Sequence, residues 1–153
     1  MGALSVPKCL VLVDGEDTAR ELASFVVRLV KANPELEVVL LYASPLRDAV
    51  PSLPGAGWLA QEEFERYFRL RADSALSEAL AVFRIAGVGV RTLSLPEDPV
   101  AAVKRLVESE SDYALVVVGD KGTDDRLHYV LSSEVYRLSH LLPLPLVVVK
   151  TRC

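Results

Sequence analysis

The run Val38-Val39-Leu40-Leu41-Tyr42-Ala43 decides the class of fold, because it is apolar at every position rather than at every second one. A strand of this composition needs apolar cover on both of its faces. Helices packed on the two sides of a parallel sheet provide that cover, whereas a strand with one wet face alternates apolar and polar residues. The run therefore predicts a strand inside the parallel sheet of an α/β protein.

Further apolar runs recur along the chain at Cys9–Val13, Tyr113–Val118 and Leu146–Val149. The run Val88–Leu95 contains polar residues at positions 91, 92 and 94, so it is predicted to be an edge strand. Segments with helical spacing of apolar residues separate these runs, which is the pattern of β-α-β units. The pattern predicts one α/β domain over residues 1–153, with five parallel strands and four helices in three layers.

Proline and glycine mark several boundaries between these elements. Gly87 and Gly89 are predicted to end a long helix that begins near Leu59. The segment Pro96-Glu97-Asp98-Pro99 is predicted to open the next helix, because proline is favoured in a first turn. Residues 44–57 hold three prolines and two glycines, which predicts an irregular connection of unusual length.

Composition excludes several classes of protein. Of 153 residues, 51% are apolar and 25% are charged, so the chain is not intrinsically disordered. The net charge of −4 argues against binding to nucleic acid, which requires clustered lysine and arginine. No apolar run approaches the roughly 20 residues of a membrane span. We expect a cytoplasmic protein for two reasons. The two cysteines, Cys9 and Cys153, are far apart in the sequence, and the amino terminus has no signal-peptide pattern.

Candidate binding residues follow three of the predicted strands. Asp14 follows the first strand, Ala43 ends the second, and Gly119 and Gly122 follow the fourth. Ligands of open parallel sheets bind beyond the carboxyl ends of the strands. A carboxylate there accepts hydrogen bonds, a small side chain leaves room for a flat ring, and glycines let backbone N–H groups approach an anion. Ser132-Ser133 then open the last helix, whose free N–H groups suit a phosphate.

Each of these residues also has an interpretation that needs no ligand. Asp14 is well placed to cap the helix that follows it. Gly119 and Gly122 are equally consistent with an ordinary turn. Ser133 is a common type of residue at a helix N-cap. The functional interpretation depends on the convergence of all these positions at one edge of the sheet.

From Lys8 to Lys150 the order of elements resembles the universal stress proteins, whose nucleotide-binding members carry a glycine signature after the fourth strand. In that signature two glycines stand three positions apart, and after nine intervening residues come a further glycine and a serine or threonine. Gly119 and Gly122 match the first pair, and Ser132-Ser133 occupy the final pair, with Ser132 in place of the third glycine. The segment Val13–Ala19 also resembles the first strand-helix turn of the family.

The resemblance implies a sheet with strand order 3-2-1-4-5, as in the adenine nucleotide alpha hydrolase-like fold. It also implies a cytosolic stress-response or regulatory protein that binds ATP or another adenine nucleotide, with magnesium as a further ligand. No catalytic residue is assigned, and at most weak ATP hydrolysis is expected. The resemblance implies that Asp14 and Ala43 contact the adenosine. It implies further that Gly119 and Gly122 contact the ribose and the phosphates, and that Ser132 and Ser133 contact the phosphates.

A second hypothesis is that the chain is an interaction module of the same family that forms dimers and binds no nucleotide. Ser132 and the carboxylates of Asp120, Asp124 and Asp125 motivate it, because these residues crowd the expected phosphate position. An enzyme is the third class considered, but the turn at Asp14 lacks the histidines of related domains that adenylate substrates.

Assembly follows from the predicted position of the last strand. If Leu146–Val149 is the outer strand, its apolar side chains and unpaired backbone favour pairing with a second copy. We therefore expect a homodimer formed through the carboxyl-terminal strand, at Leu144, Leu146, Val147 and Val148.

Overall fold

The computed structural model describes residues 6–46, 61–120 and 133–151, with only the backbone described for Glu16, Asp17 and Ser133. Strands and helices alternate along these ranges. The elements are β1 (Lys8–Leu12), α1 (Glu16–Ala32), β2 (Glu37–Ala43), α2 (Gln61–Ala86), β3 (Val90–Leu95), α3 (Pro99–Ser109), β4 (Tyr113–Asp120), α4 (Ser133–Leu141) and β5 (Leu146–Lys150).

The five strands form one parallel sheet in the order β3-β2-β1-β4-β5. The central strand β1 pairs on both sides, with Leu10 opposite Val39 of β2 and Val116 of β4. The parallel α/β class and the strand order expected from the sequence are therefore confirmed. The edge positions of β3 and β5 are confirmed as well.

Two apolar layers lie on opposite faces of the sheet. One layer joins α1 and α2 to the sheet and contains Val11, Leu40 and Phe83. The other joins α3 and α4 to the sheet and contains Leu10 and Leu41. Because neighbouring residues of a strand point to opposite faces, β2 supplies both layers, and its residues 38–43 are all buried. This explains why that run is apolar throughout.

The helix α2 ends in a Schellman motif centred on Gly87. The backbone N–H of Val88 donates to the carbonyl of Phe83 at 2.9 Å, and that of Gly87 donates to Arg84 at 3.1 Å. Gly87 has φ of 74°, a conformation that glycine adopts without the steric cost of a Cβ. The turn uses the residues directly after the helix, so β3 begins at Val90 rather than at the predicted Val88.

The strand β4 is longer than predicted. Gly119 and Asp120, expected in the loop after the strand, pair in register with Val149 and Lys150 of β5. The N–H of Thr151 continues the ladder by donating to the carbonyl of Asp120 at 3.0 Å. Partner strands therefore extend β4 beyond the end of its apolar run.

In the described ranges, no helix has both the length and the apolar composition to cross a membrane.

Candidate functional site

The carboxyl ends of β1 and β2 bring two of the sequence-predicted site residues together. Asp14 follows β1 with an exposed side chain, and Ala43 is the last, buried residue of β2. Both line one cavity at this edge of the sheet. Gly15 holds the N-cap position of α1, and Asp14 lies one residue before it.

Two cavities adjoin at this edge, and we name them after the helices that close them. The α2-side cavity has a volume of about 560 Å³ and is lined by Asp14, Gly15, Tyr42, Tyr67, Leu70, Arg71, Ser74 and Ala75. The α4-side cavity has a volume of about 260 Å³ and is lined by Asp14, Tyr42, Ala43, Ser44, Pro45, Arg71, Asp98, Pro99 and Glu134. Asp14, Tyr42 and Arg71 border both cavities, and we refer to the two adjoining cavities together as the cleft.

The α4-side cavity is acidic. Glu134, in the first turn of α4, is half-buried, and this burial is the main reason that its carboxyl pKa is raised. The neighbouring carboxylates of Asp14 and Asp98 raise that pKa further, and Asp120 adds a smaller effect. Arg137, whose Nη2 lies 3.4 Å from Oδ2 of Asp98, acts in the opposite direction. Negative charge is therefore already unfavourable at this end of the cleft.

The α2-side cavity is aromatic and carries a positive charge. The ring of Tyr42 packs at a tilt against Phe68, with the ring centroids 5.7 Å apart. Burial raises the pKa of the Tyr42 hydroxyl, and the nearby Arg71 guanidinium lowers it, as does a hydrogen bond with Ser44. Arg71 is exposed, and within the described part of the chain it forms no salt bridge.

Gly119 does not face either cavity. A Cβ at this position would lie 3.5 Å from Cγ2 of Thr151 and within 4 Å of Leu22 and Thr18 of α1. These are ordinary van der Waals distances, and the φ of Gly119 is not positive. The described surroundings therefore do not require a glycine at this position. The space that such a side chain would use faces α1.

Several predicted site residues lie outside the described residues. Gly122 and Ser132 belong to this group, as do the neighbouring Asp124 and Asp125. Ser133 begins α4, with its backbone alone described. The loop expected at 44–57 is described as far as Leu46. In the described ranges, no three or more histidine, cysteine or acidic residues are grouped so that they could hold a metal ion.

The residues of the cleft that the sequence interpretation missed include Tyr42, Tyr67, Arg71, Asp98 and Glu134. Glu134 directly follows Ser132-Ser133, so its position in the sequence was an available signal. Asp98 was recognised only as part of a helix start. Arg71 lies among the charged residues of α2 that we would assign to a solvated face, and its exposure gives no local sign of the cavity beside it.

The sequence over residues 6–150 matches the universal stress protein family. No curated protein matches the chain. The strand order agrees with the family resemblance drawn from the glycine positions and the order of elements.

Solved structures of the family share this fold at low sequence identity. UspA from Lactobacillus plantarum has a TM-score of 0.70 and 16% identity, covering 97% of this chain and 100% of that one. The Archaeoglobus fulgidus protein in complex with dAMP has a TM-score of 0.63 and 17% identity, covering 97% and 100%. An Arabidopsis thaliana family protein with AMP bound has a TM-score of 0.63 and 13% identity, covering 96% and 93%. Since the family match spans nearly the whole chain, this protein belongs to the universal stress protein family.

Proposed function

We propose that this protein binds an adenine nucleotide in the cleft beyond β1 and β2, and that it senses or stores the nucleotide in a cytoplasmic stress response. Two of the similar structures hold adenine monophosphates, namely dAMP in the archaeal protein and AMP in the plant protein. Those ligands support the class of molecule that this proposal assigns to the cleft, with ATP as a further candidate.

The observation that carries the proposal is the cleft itself. Its larger cavity, of about 560 Å³, falls within the range of about 300–1,000 Å³ usual for small-molecule sites. The exposed carboxylate of Asp14 is a hydrogen-bond acceptor, and the small side chain of Ala43 leaves space at the end of β2. An adenine or ribose donor paired with Asp14 would give the ligand its orientation.

The proposal assigns no turnover to the cleft. The proposal gives Asp14 a binding role and assigns no catalytic residue. Cys9 lies in β1 away from solvent, and burial raises the pKa of its thiol to about 12. A thiol with that pKa is not ionised at neutral pH and is a poor nucleophile. Incubation with labelled ATP should release phosphate at most slowly above the rate in buffer, whereas efficient release that depends on the protein would contradict storage without turnover.

A calorimetric titration tests nucleotide binding. We expect adenosine, AMP, ADP or ATP to bind the native protein at millimolar concentration or below. Asp14→Ala should weaken binding by about tenfold, the size of one lost hydrogen bond to a charged group. Asp73→Ala is the matched control, because Asp73 is an exposed carboxylate on α2 that borders neither cavity.

Two results would contradict the proposal. One is the absence of any heat of binding for all four ligands at millimolar concentration. The other is an equal loss of affinity in Asp14→Ala and Asp73→Ala, which would show that the effect is not local to the cleft. Circular dichroism of each variant separates a change of binding from a loss of structure.

A second candidate function is that of a nucleotide-free dimeric interaction module, and the chemistry of the β5 edge favours it. The residues of β5 from 146 to 149 are apolar and only half-buried. The opposite edge, β3, instead exposes Arg91, Thr92 and Ser94, a polar surface that discourages pairing. We propose that β5 pairs with its copy in a homodimer that uses Leu144, Leu146, Val147 and Val148.

Light scattering tests this assembly. The native protein should have the mass of a dimer at micromolar concentration, and Val148→Lys should have that of a monomer, since the two new charges would meet near the two-fold axis. Thr92→Lys, at the other sheet edge, should remain dimeric. A monomeric native protein would rule out the homodimer, and a tightly bound nucleotide would rule out the nucleotide-free module.

A further inference from the structure

Glu134 is an acidic side chain in a part of the cleft where helix geometry favours an anion. It stands in the first turn of α4, and the first backbone N–H groups of a helix have no partner inside the helix. The side chain of Glu134 borders the α4-side cavity. The same turn of helix therefore brings together donors that attract a phosphate and a carboxylate that repels one when it is ionised.

The carboxylates around this cavity crowd one another. Glu134 shares a space of about 260 Å³ with Asp14, which follows β1, and with Asp98, which precedes α3. Glu134 is half-buried, and this burial is the main reason that its carboxyl pKa is raised, with Asp14 and Asp98 raising it further. A carboxyl in such surroundings takes up a proton at a higher pH than an exposed one does. Protonation of Glu134 therefore relieves the repulsion between like charges in the cavity.

Other elements bring further ionisable groups towards Glu134. Arg137, one turn later on α4, lowers the pKa of Glu134, and Asp120 at the end of β4 raises it slightly. Tyr42 of β2 and Arg71 of α2 border the same cavity, and burial raises the pKa of the Tyr42 hydroxyl, which stays neutral at physiological pH. Among the described residues, two arginines thus stand against four carboxylates, so the charge around the cavity is negative while Glu134 is ionised.

We propose that Glu134 is a specificity-determining residue that links the binding of an anionic nucleotide in the cleft to the uptake of a proton. This inference rests on the proposed nucleotide binding and adds its dependence on pH and on the charge of the ligand. While Glu134 is ionised, a phosphate in the cleft meets a like charge, and protonation removes that repulsion. Uncharged adenosine lacks this response, because it brings no charge to the cavity. The protein therefore holds an anionic nucleotide more tightly as the pH falls.

Calorimetric titrations with cyclic AMP and adenosine test this linkage at pH 8 and at pH 4.5, the ordinary pKa of a glutamate. Cyclic AMP is the suitable anion, because its phosphodiester keeps one negative charge, whereas a phosphate monoester such as AMP titrates near pH 6. The measured quantity is the affinity for cyclic AMP divided by that for adenosine, which cancels effects of pH common to both ligands. In the native protein this ratio should be at least about fivefold lower at pH 8, because fivefold corresponds to about 1 kcal/mol, the lower end of the repulsion between like charges at 4 Å.

Three variants assign the effect to Glu134. Glu134→Gln should remove the pH dependence of the ratio and, at pH 8, bind cyclic AMP at least about fivefold more tightly than the native protein does. Glu134→Asp retains an ionisable group and should retain a pH dependence. Glu108→Gln is the matched control for the loss of one negative charge, because Glu108 is exposed on α3 and borders neither cavity of the cleft. This control should behave as the native protein does.

Titrations in two buffers with different heats of ionisation count the protons directly. At pH 6 the native protein should take up a measurable fraction of a proton when it binds cyclic AMP and none when it binds adenosine. Glu134→Gln should take up none with either ligand. This measurement decides the question even where a variant unfolds at pH 4.5.

The outcomes separate this inference from the function on which it rests. Binding of both ligands with the same ratio at the two pH values overturns the role of Glu134 and leaves nucleotide binding intact. A pH dependence that persists in Glu134→Gln also overturns it, because another group then carries the proton. Equal effects of Glu134→Gln and Glu108→Gln overturn it as well, since a local repulsion predicts a difference. The absence of binding by both ligands overturns both proposals, provided that circular dichroism shows a folded protein.

Discussion

The carboxylate of Asp98 caps the helix α3, and Asp98 also lines the α4-side cavity. Its Oδ2 accepts a hydrogen bond from the backbone N–H of Ala101 at 3.0 Å, which makes it the N-cap of α3 directly before Pro99. The same oxygen lies 3.4 Å from Nη2 of Arg137 on α4. Asp98→Ala removes both interactions, whereas Asp98→Asn retains a capping oxygen and removes the charge.

The expected magnitudes follow from these contacts. Loss of an N-cap costs about 1 kcal/mol of stability. Loss of an ion pair with side chains 52% and 40% exposed costs less, about 0.2–1 kcal/mol. Asp98→Ala should therefore lower the free energy of unfolding by about 1–2 kcal/mol, and Asp98→Asn by less than about 1 kcal/mol. For a protein of this size 1 kcal/mol corresponds to a shift in melting temperature of about 2–4 °C.

Urea unfolding measures the contributions of the N-cap and the ion pair separately. The proteins compared are the native protein, both Asp98 variants and Arg137→Gln. Arg137→Gln should match Asp98→Asn, because each removes only the ion pair. An equal loss in Asp98→Asn and Asp98→Ala would refute the capping argument, since asparagine is as good an N-cap as aspartate. A stable Asp98→Ala protein would refute both contributions.

Three further predictions concern the core, β4 and the pH dependence. Phe83→Ala should lower the free energy of unfolding, measured in urea, by about 3–5 kcal/mol, because Phe83 is fully buried. Ile85→Ala is the control, since Ile85 is exposed on the same helix, and it should cost less than about 0.5 kcal/mol. Similar losses of stability in the two variants would contradict the packing. Gly119→Ala should fold with stability changed by less than about 1 kcal/mol, and a larger loss would show a hidden constraint. Glu134→Gln should be more stable than the native protein at pH 8 and equal to it near pH 4, as measured by melting temperature; a gain that grows toward acid pH would contradict the upward pKa shift.

The sign of the pH effect follows from linkage. The folded state raises the pKa of Glu134 above its ordinary value of 4.5. Below that ordinary value the carboxyl is protonated in both the folded and the unfolded states, and no cost arises. As the pH rises through the raised pKa, ionisation becomes less favourable in the folded protein than in the unfolded chain. The native protein therefore loses stability relative to Glu134→Gln as the pH increases.

The class of fold could be predicted from local patterns, but the strand order could not. An entirely apolar run such as Val38–Ala43 is buried on both faces in the structure, as its composition requires. Periodicity alone does not say which strands are neighbours, and the order 3-2-1-4-5 came from the family resemblance. The extension of β4 to Asp120 was missed because it depends on pairing with β5, which no local signal in Gly119-Asp120 reveals.

The site could be predicted only where it depends on the ends of strands. Asp14 and Ala43 were found because parallel strands place their carboxyl ends at one edge. Tyr67 and Arg71 were not, because the packing of α2 against the sheet brings them beside Asp14, and that arrangement is not encoded in their local spacing. An exposed arginine on a helix has the same local pattern whether it borders a cavity or only water.

Difference electron density from crystals grown with millimolar AMP tests the central claim most directly. The account predicts an adenosine beside Asp14 and Ala43, in the cleft beyond β1 and β2. An empty cleft under these conditions, or a nucleotide bound elsewhere on the protein, would contradict it.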